Sequence, residues 1–382
     1  MKIPMSSPDI TDAERKAVQE VMNTPILSMG SRIKEFEQAF REQSGAKYAI
    51  GVNSGTAGLH LCVRAARIGA GDLVVTSPFS FVASTNVLLF ENAIPVFVDV
   101  DPRTGNIDPE LAADAAQNPQ KYLPRTSPVT PRTLKALLPV DVFGQPADLD
   151  EINAIAAGHG LRVIEDSCEA LGATYKNRKA GMLGEFGVFA FYPNKQMTTG
   201  EGGMIVTNDE KAASLMLALR NQGRAPGDTW LSHTHLGYNY RLDEMSAALG
   251  TVQLGRLDEM LTKRETVAGW YAQRLGNVPE LELPFIESNT TRMSWFVYVI
   301  RVQPGIDRDA LARRLEARGV PVRPYFLPIH LQPYMVERFG YREGDFPVTE
   351  DLGRRGLAVP FSGVMTEEQV EYVCKVIKDE IK

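Results

Sequence analysis

Hydrophobic and polar residues follow two different periods along the chain. Apolar positions recur at helical spacing over residues 9–23 and 33–43, and Ser31 precedes the second stretch as a candidate helix cap. From about residue 45 to 210 the pattern changes to short apolar runs, among them KYAIGVN, DLVVTSP, IPVFVDV, LRVIED and GGMIVTND. Helical stretches such as GLHLCVRAARI and LDEINAIAAGHG separate most of these runs. This alternation predicts an α/β domain with a mainly parallel sheet covered on both faces, and ligands at the carboxyl ends of its strands.

A different pattern begins near residue 243. A long helical stretch covers residues 243–275, followed by the apolar run SWFVYVIRV and by helical patterns at DRDALARRLEARG and EEQVEYVCKVIKDE. These elements predict a smaller α+β domain. We therefore expect two domains: a large α/β domain over residues 1–245 that includes the N-terminal helices, and a C-terminal domain over residues 246–382 that includes the connecting helix.

Composition and charge narrow the class of protein. The 382 residues carry a net charge of −6, which argues against non-specific binding to nucleic acid. No run approaches the roughly 20 apolar residues that span a bilayer, and the N-terminus lacks a secretion signal, so we expect a cytoplasmic protein without membrane contact. The three cysteines lie far apart in no metal-binding pattern. His233 and His235 flank a single residue and could share a metal, but no carboxylate or thiol cluster accompanies them, so we expect a surface loop here. No metal site is predicted.

The first chemical signal is the segment VNSGTAGLHL, in which a strand ends at Ser54 and a helix begins near Ala57. A helix N-terminus with free N–H groups, together with Gly55 and the hydroxyl of Thr56, can bind a phosphate. The chain has no Walker lysine and no GxGxxG pattern after a strand, which argues against a nucleoside triphosphate or a dinucleotide. A plain strand-to-helix turn would have the same sequence, so this motif alone leaves both interpretations open.

Two further signals are an acidic strand end and an isolated lysine. The run LRVIED ends in Asp166, where a carboxylate could pair with a cationic ring nitrogen, although a helix cap or a loop ion pair would use the same residue. Lys195 lies between two predicted strands in the segment FYPNKQMTTGEGG. A partly desolvated amine can form a Schiff base, whereas most loop lysines are solvated. The order of the three signals along the chain favours the Schiff-base hypothesis.

Five motifs occur in an order that resembles the DegT/DnrJ/EryC1/StrS family of pyridoxal-phosphate-dependent nucleotide-sugar aminotransferases: SGT, PFSF, IEDSCEALGA, FYPNKQMTTGEGG and GYNYRLDEMSAALG. The resemblance covers the chain from SMGSRIKEFE to VRPYFLPIHLQPY. It implies a fold-type I aminotransferase with pyridoxal 5′-phosphate (PLP) as cofactor. It also implies a homodimer whose active sites are shared between the subunits.

The resemblance assigns a role to particular residues of this chain. Lys195 would bind the cofactor covalently and move the proton during catalysis, and Asp166 would keep the pyridine nitrogen of PLP protonated. Phe81 would stack on the cofactor ring, unless it is an ordinary core aromatic residue. Gly55 and Thr56 would bind the phosphate.

Three other positions bear on the cofactor. Asn239 would reach the phosphate in the neighbouring subunit. The family often has serine five residues before the lysine, where this chain has Ala190, so one phosphate contact comes from elsewhere or is missing. The family commonly has Gln or His where this chain has Glu169. A carboxylate there would repel the phenolic oxygen of the cofactor unless it were protonated or turned away.

Two positions near the expected substrate entrance have two interpretations each. Arg241 could pair with the carboxylate of an amino donor, or it could form an ion pair with Asp243 or Glu244. His330 could contact the sugar or a nucleotide phosphate, or it could pack beneath the C-terminal domain.

The reaction implied by the resemblance is transamination from glutamate to a keto carbon of a nucleotide-linked deoxysugar. The segment TTGEGGM is most similar to members that aminate C4 of a 4-keto-6-deoxyhexose, such as perosamine synthases, with C3 amination as the near alternative. Dehydratases of the same family have histidine in place of Lys195. Two hypotheses from other classes are a non-catalytic regulatory or scaffold protein with this fold, and a nicotinamide-dependent dehydrogenase, which the missing dinucleotide motif disfavours.

Overall fold

The computed structural model describes residues 3–225, 227–229 and 231–381. Its strands are β1 Tyr48–Val52, β2 Leu73–Thr76, β3 Ile94–Phe97, β4 Leu134–Leu137, β5 Arg162–Asp166, β6 Thr174–Tyr175, β7 Arg178–Lys179, β8 Phe186–Ala190, β9 Gly203–Thr207, β10 Leu281–Glu282, β11 Thr290–Arg292, β12 Tyr298–Val302 and β13 Gly356–Val359. Its α-helices are α1 Asp12–Met22, α2 Arg32–Ser44, α3 Gly55–Ala65, α4 Ala83–Phe90, α5 Pro109–Gln117, α6 Leu149–His159, α7 Glu210–Arg220, α8 Glu244–Gly255, α9 Leu257–Leu275, α10 Arg308–Ala317, α11 Pro333–Phe339, α12 Pro347–Arg355 and α13 Glu367–Glu380.

The central sheet of the described residues has seven strands in the order β1, β9, β8, β5, β4, β2, β3. Strand β9 runs antiparallel to both of its neighbours, β1 and β8. The pairs from β8 across to β3 are all parallel. The predicted mainly parallel mixed sheet is therefore confirmed, and the carboxyl ends of β5 and β8 lie side by side at one edge.

Helix α3 lies at the centre of the large domain. Its sequence GTAGLHLCVRA has almost no polar face, and most of its residues are buried. A helix that is apolar on nearly all sides packs inside a protein rather than on its surface. It contacts α4, α7, β8 and β9, so its N-terminus is fixed beside the carboxyl end of β8.

The C-terminal region forms the predicted smaller α+β unit. The antiparallel sheet β10, β12, β13 carries a core of its own, to which α9, α10 and α13 contribute. Stacked aromatic rings join the layers: Tyr298 lies 4.9 Å from Tyr271 of α9 and 5.5 Å from Trp295, measured between ring centroids. Such pairs stabilise a core beyond their buried area.

The helical stretch predicted over residues 243–275 is interrupted in the structure. It divides into α8 and α9 at Arg256, whose backbone leaves the helical conformation and whose guanidinium bonds Asp9 and Glu14 near the N-terminus. Helix α8 packs against α1 and α2. The domain boundary between residues 245 and 246 stays a prediction.

In the part of the chain that the structure describes, no helix combines the length and apolar character needed to cross a bilayer. The same part contains no group of three or more His, Cys, Asp and Glu side chains arranged to hold a metal ion. His233 and His235 are exposed in the segment between α7 and α8.

Candidate active site

A cavity of about 600 Å³ opens at the carboxyl ends of β5 and β8. Its walls are the N-terminus of α3, the segments that follow β5 and β8, and residues 324–327 of the C-terminal region. Six of the predicted site residues line it: Gly55, Thr56, Phe81, Asp166, Glu169 and Lys195. The fold thus brings the three chemical signals of the sequence into one cavity.

The N-terminus of α3 forms one wall. Ser54 caps the helix, and its hydroxyl accepts a hydrogen bond of 3.0 Å from the N–H of Ala57. The first N–H groups of a helix have no partner within it, so those of Gly55 and Thr56 are available to an anion. A β-carbon at Gly55 would lie 2.7 Å from the β-carbon of Ala190, so only glycine lets the helix end approach β8 this closely.

Asp166, the last residue of β5, is 3% exposed and firmly oriented. The hydroxyl of Ser84 donates to its Oδ2 over 2.8 Å, and the N–H of Cys168 donates to its Oδ1 over 3.2 Å. A carboxylate fixed in this way can pair with a cationic ring nitrogen in the cavity. Our sequence analysis missed Ser84, although it lies three residues after Phe81 in the same motif.

Lys195 extends into the cavity between an acid and an aromatic ring. Its Nζ lies 3.5 Å from Oε1 of Glu169 and 3.8 Å from the ring centroid of Phe296, and its side chain is 13% exposed. Lys195 is therefore the partly desolvated lysine that the Schiff-base hypothesis requires. The sequence did not indicate Phe296, because it belongs to the apolar run before β12 and nothing local marks it as a cavity residue.

The backbone of Lys195 is held by a buried arginine that sequence reasoning also missed. Arg264 of α9 is 3% exposed and donates to the carbonyl of Lys195 over 2.6 Å and to that of Asn194 over 3.3 Å. It also donates to the carbonyls of Trp295 and Phe296, each over 3.2 Å. Burial lowers the pKa of Arg264 to about 10. This guanidinium joins the lysine loop to the segment that carries Phe296.

Glu169 is buried beside Lys195. Its Oε2 accepts a hydrogen bond of 2.9 Å from the N–H of Phe143, and its Oε1 faces the lysine amine. Burial raises the pKa of Glu169, and the charge of Lys195 opposes this shift. A protonated or lysine-paired Glu169 would avoid the predicted repulsion of the cofactor's phenolic oxygen. Its contact with the cofactor stays a prediction.

Four predicted residues have different surroundings from one another. Phe81 is 62% exposed on the cavity wall, so it is not a core aromatic residue. Asn239 is exposed and lies outside the residues that line this cavity. Arg241 donates to Oδ1 of Asn221 over 3.1 Å. The His330 side chain is fully buried 3.0 Å from Glu350, so the structure favours packing for this residue.

Comparison with known proteins decides the family. The chain matches the DegT/DnrJ/EryC1/StrS aminotransferase family over residues 8–378. The chain belongs to this family. The resemblance drawn from the five motifs is thereby confirmed, and the dehydrogenase hypothesis is wrong.

Relatives of the family align over nearly the whole chain. A GDP-perosamine synthase of Caulobacter vibrioides is 39% identical over 97% of this chain and 96% of its own length. The spore coat polysaccharide biosynthesis protein SpsC of Bacillus subtilis is 37% identical over 100% and 97%. Among solved structures, an E. coli GDP-4-keto-6-deoxy-D-mannose-3-dehydratase with bound hydrated PLP superimposes with a TM-score of 0.87 at 27% identity, covering 99% of both chains.

The cavity fits PLP, the cofactor of DegT-family aminotransferases. PLP needs an amine for its aldehyde, an acid for its ring nitrogen and an anion site for its phosphate. Lys195, Asp166 and the N-terminus of α3 supply these groups around one cavity. Ala190 offers no hydroxyl, so a phosphate in this cavity would rely on other groups, of which the N–H groups at the start of α3 and Thr56 are candidates within this chain. The predicted cofactor and the predicted enzyme class, a PLP-dependent sugar aminotransferase, are confirmed.

Proposed function

We propose that the protein transfers the amino group of glutamate to a keto carbon of a nucleotide-linked deoxysugar, with a 4-keto-6-deoxyhexose as the favoured acceptor. The observation that carries this proposal is the meeting of Lys195 and Asp166 in one cavity at the carboxyl ends of β5 and β8. Relatives named GDP-perosamine synthase, at 39% and 33% identity, support a 4-keto sugar. Amination at C3 is the second candidate, and the cytoplasm is the expected compartment.

When bound, PLP supplies an electron sink that stabilises negative charge on the carbon being deprotonated. The chain's own residues place and protonate the reactants. The Nζ of Lys195 would hold the cofactor, and the same amine would serve as the acid–base group that moves the proton at the substrate carbon. The carboxylate of Asp166, oriented by Ser84, keeps the ring nitrogen protonated. Phe81 stacks against the ring at the open side of the cavity.

Glu169 modulates the amine of Lys195. Its Oε1 lies 3.5 Å from Nζ in a buried place, within ion-pair distance. When both groups are charged, their attraction compensates part of the cost of burying them. Arg241 is the proposed contact of the amino donor, whereas the buried His330 has the packing role described above.

A substrate panel tests the proposed reaction. The purified protein, reconstituted with PLP, is incubated with glutamate and with nucleotide-linked 4-keto or 3-keto deoxysugars, and the products are analysed by mass spectrometry. We expect a new amino sugar with the 4-keto acceptor and an equal amount of 2-oxoglutarate. Amination of the 3-keto acceptor alone would replace the proposal with the second candidate. A protein with no cofactor absorption in the visible range would support the scaffold hypothesis instead.

We also propose that the enzyme is a homodimer in which Asn239 of one subunit completes the site of the other. Its side chain is exposed outside the cavity of its own chain. Its carbonyl accepts a hydrogen bond of 3.2 Å from Asn53, which directly precedes the phosphate-binding turn at Ser54. The segment therefore lies beside the cavity, at a surface where a second copy can dock. A closed two-fold dimer would use this surface twice.

Subunit exchange between two inactive variants tests the shared site. Lys195→Ala removes the amine, and Asn239→Asp places an anion against the phosphate. In a mixed dimer with shared sites, one site collects both defects and the other collects neither, so about a quarter of wild-type activity should return after random exchange. If Asn239 acts in its own chain, every site of the mixed dimer is defective. A mixture that exchanges subunits, as tagged co-purification reports, and yet stays inactive would contradict the shared site.

A further inference from the structure

A polar cluster beneath the segment 238–240 has no part in the cavity described above. His60 of α3, one turn beyond the phosphate-binding end, is 3% exposed and uses both ring nitrogens. Its Nδ1 lies 3.0 Å from the hydroxyl of Tyr240, and its Nε2 lies 2.8 Å from Oε1 of Glu91. Burial lowers the pKa of His60 and so favours the neutral ring. In the neutral ring, Nε2 donates to the carboxylate of Glu91, which only accepts, and Nδ1 accepts from the hydroxyl of Tyr240.

The second tyrosine of the segment belongs to the same cluster. The hydroxyl of Tyr238 accepts a hydrogen bond of 2.7 Å from Arg64 and donates to Glu91 over 3.2 Å. The rings of Tyr238 and Tyr240 are stacked, with centroids 4.8 Å apart and an angle of 10° between their planes. The His60 ring lies 4.8 Å from that of Tyr238. We call His60, Arg64, Glu91, Tyr238 and Tyr240 the tyrosine clamp.

The clamp determines the direction of the residue between the two tyrosines. The backbone is extended here: the N–H of Tyr238 bonds the carbonyl of Leu219 over 2.7 Å, and that of Tyr240 bonds the carbonyl of Arg220 over 3.0 Å. In an extended segment, alternate side chains lie on opposite sides. With Tyr238 and Tyr240 held against α3, Asn239 lies on the opposite side, where it is exposed.

We propose that the tyrosine clamp positions Asn239 for the active site of the neighbouring subunit, with His60 as its central positioning residue. This inference rests on the shared site proposed above. The clamp orients the segment more precisely than apolar packing would, because stacked rings can slide past each other. The hydrogen bonds of the two tyrosine hydroxyls to His60 and Glu91 fix the position and the rotation of the segment relative to α3. Helix α3 therefore serves two sites, with its N-terminus in its own cavity and His60 acting on its neighbour's.

Subunit exchange separates this positioning role from a merely structural one. His60→Leu removes both hydrogen bonds, and it is mixed with Lys195→Ala. The mixture is assayed at a PLP concentration between the dissociation constants of the wild type and of His60→Leu, where the variant alone is only weakly active. If His60 acts across the interface, the mixed dimer contains one intact site, and activity should rise towards about a quarter of the wild-type value at the same PLP concentration. If His60 only supports α3 in its own chain, the site that retains the lysine is damaged as well, and no recovery follows. The Tyr240→Phe variant, which retains the ring, repeats the test should His60→Leu fold poorly.

Cofactor binding supplies a readout that does not depend on turnover. Absorption titrations should give a dissociation constant for PLP about 10-fold higher in His60→Leu, because a contact with a charged phosphate weakens. The constant for pyridoxal, which has no phosphate, should not change. His60→Gln can donate and accept along the same two directions and should restore part of the PLP affinity. The matched control is His159→Leu, an exposed histidine at the end of α6.

The outcomes distinguish this inference from the proposal on which it rests. Suppose that activity returns when Lys195→Ala is mixed with Asn239→Asp but not when it is mixed with His60→Leu or Tyr240→Phe. This result would overturn the positioning role and leave the shared site standing. Failure of both mixtures, with exchange demonstrated, would overturn the shared site and the positioning role together. An equal loss of affinity for PLP and pyridoxal would also overturn it, since that result indicates general damage to the fold.

Discussion

The floor of the cavity, by which we mean Asp166, Glu169 and Lys195, and the segment 238–240 are both held by buried polar contacts. They differ in whether a side chain remains exposed. On the floor, Asp166 and Glu169 find hydrogen-bond partners within their own chain and are almost inaccessible to water. In the segment, the two tyrosines are tied down while Asn239 between them stays exposed. The contrast fits the proposed division of labour, in which one chain completes the groups that handle charge and protons and a second chain would use the exposed Asn239.

Loss of the amine is the strongest test of the floor. Lys195→Ala should lower turnover by at least about 10⁴-fold, the upper end of what one acid–base group contributes, since the covalent role is lost as well. Turnover is measured with glutamate and the keto sugar, and borohydride reduction of the wild type should label the peptide that contains Lys195. The exposed Lys47→Ala variant serves as control. A label on any other lysine would show the assignment to be wrong.

Neutralising the acid on the floor should have the next largest effect. Asp166→Asn retains the shape and the bond to Ser84 but loses the charge that keeps the ring nitrogen protonated, so turnover should fall by about 10²-fold, in line with a charged hydrogen bond of 1.5–3 kcal/mol. Cofactor occupancy, read from visible absorption, should fall much less. Asp12→Asn on the exposed face of α1 is the control. If Asp166→Asn turned over as fast as the wild type, Asp166 would not be the residue that keeps the pyridine nitrogen of PLP protonated.

Truncating the outer contact should affect binding more than chemistry. Asn239→Ala should raise the dissociation constant of PLP about 10-fold and leave the turnover of the cofactor-saturated enzyme within about 2-fold of wild type, because a phosphate contact lies far from the reacting carbon. Titration of the cofactor-free protein gives the constant, and Asn23→Ala at the end of α1 is the control. If Asn239→Ala lowered turnover as much as Asp166→Asn does, the segment 238–240 would contribute to the chemical step and not to cofactor binding alone.

The last prediction concerns the stability of the protein rather than its activity, through the buried acid Asp141, which contacts Ser167 next to Asp166. Burial and the nearby charge of Glu165 raise the pKa of Asp141 well above its ordinary range. The folded state thus favours the protonated acid, and stability is lost as the pH rises from the ordinary carboxyl range through the raised pKa. Asp141→Asn can still accept from the N–H of Ala147 and contact the hydroxyl of Ser167.

The expected result is a difference between the two proteins in how steeply the free energy of unfolding depends on pH. Over that pH window the wild type should lose up to about 1.4 kcal/mol per pH unit relative to Asp141→Asn, which has no proton to lose. Urea unfolding at a series of pH values from about 4 upwards, with PLP at saturation, measures the difference. Parallel pH profiles for the two proteins would mean that Asp141 is already ionised in the fold.

The sequence by itself determined the fold class and supplied the candidate reactive residues, whose roles stay predictions. Uniformly apolar strand runs separated by helical stretches require a covered parallel sheet, and such sheets bind ligands at their carboxyl ends. Asp166 and Lys195 could be recognised because each lies in a local pattern, a strand end and a glycine-rich loop. Gly55 and Thr56 follow the same logic at a helix start. The interruption at Arg256 was missed, because its partners lie near the N-terminus.

Only the tertiary structure decided how these residues are held. The proximity of Phe296 to Lys195, the buried guanidinium of Arg264 and the tie between His60 and Tyr240 join positions that are distant in sequence and carry no local signal. Such contacts exist because layers of helices and strands pack at particular distances, and a period of hydrophobic residues does not encode those distances. The sequence therefore names the candidate reactive groups, and packing decides which atoms these groups contact.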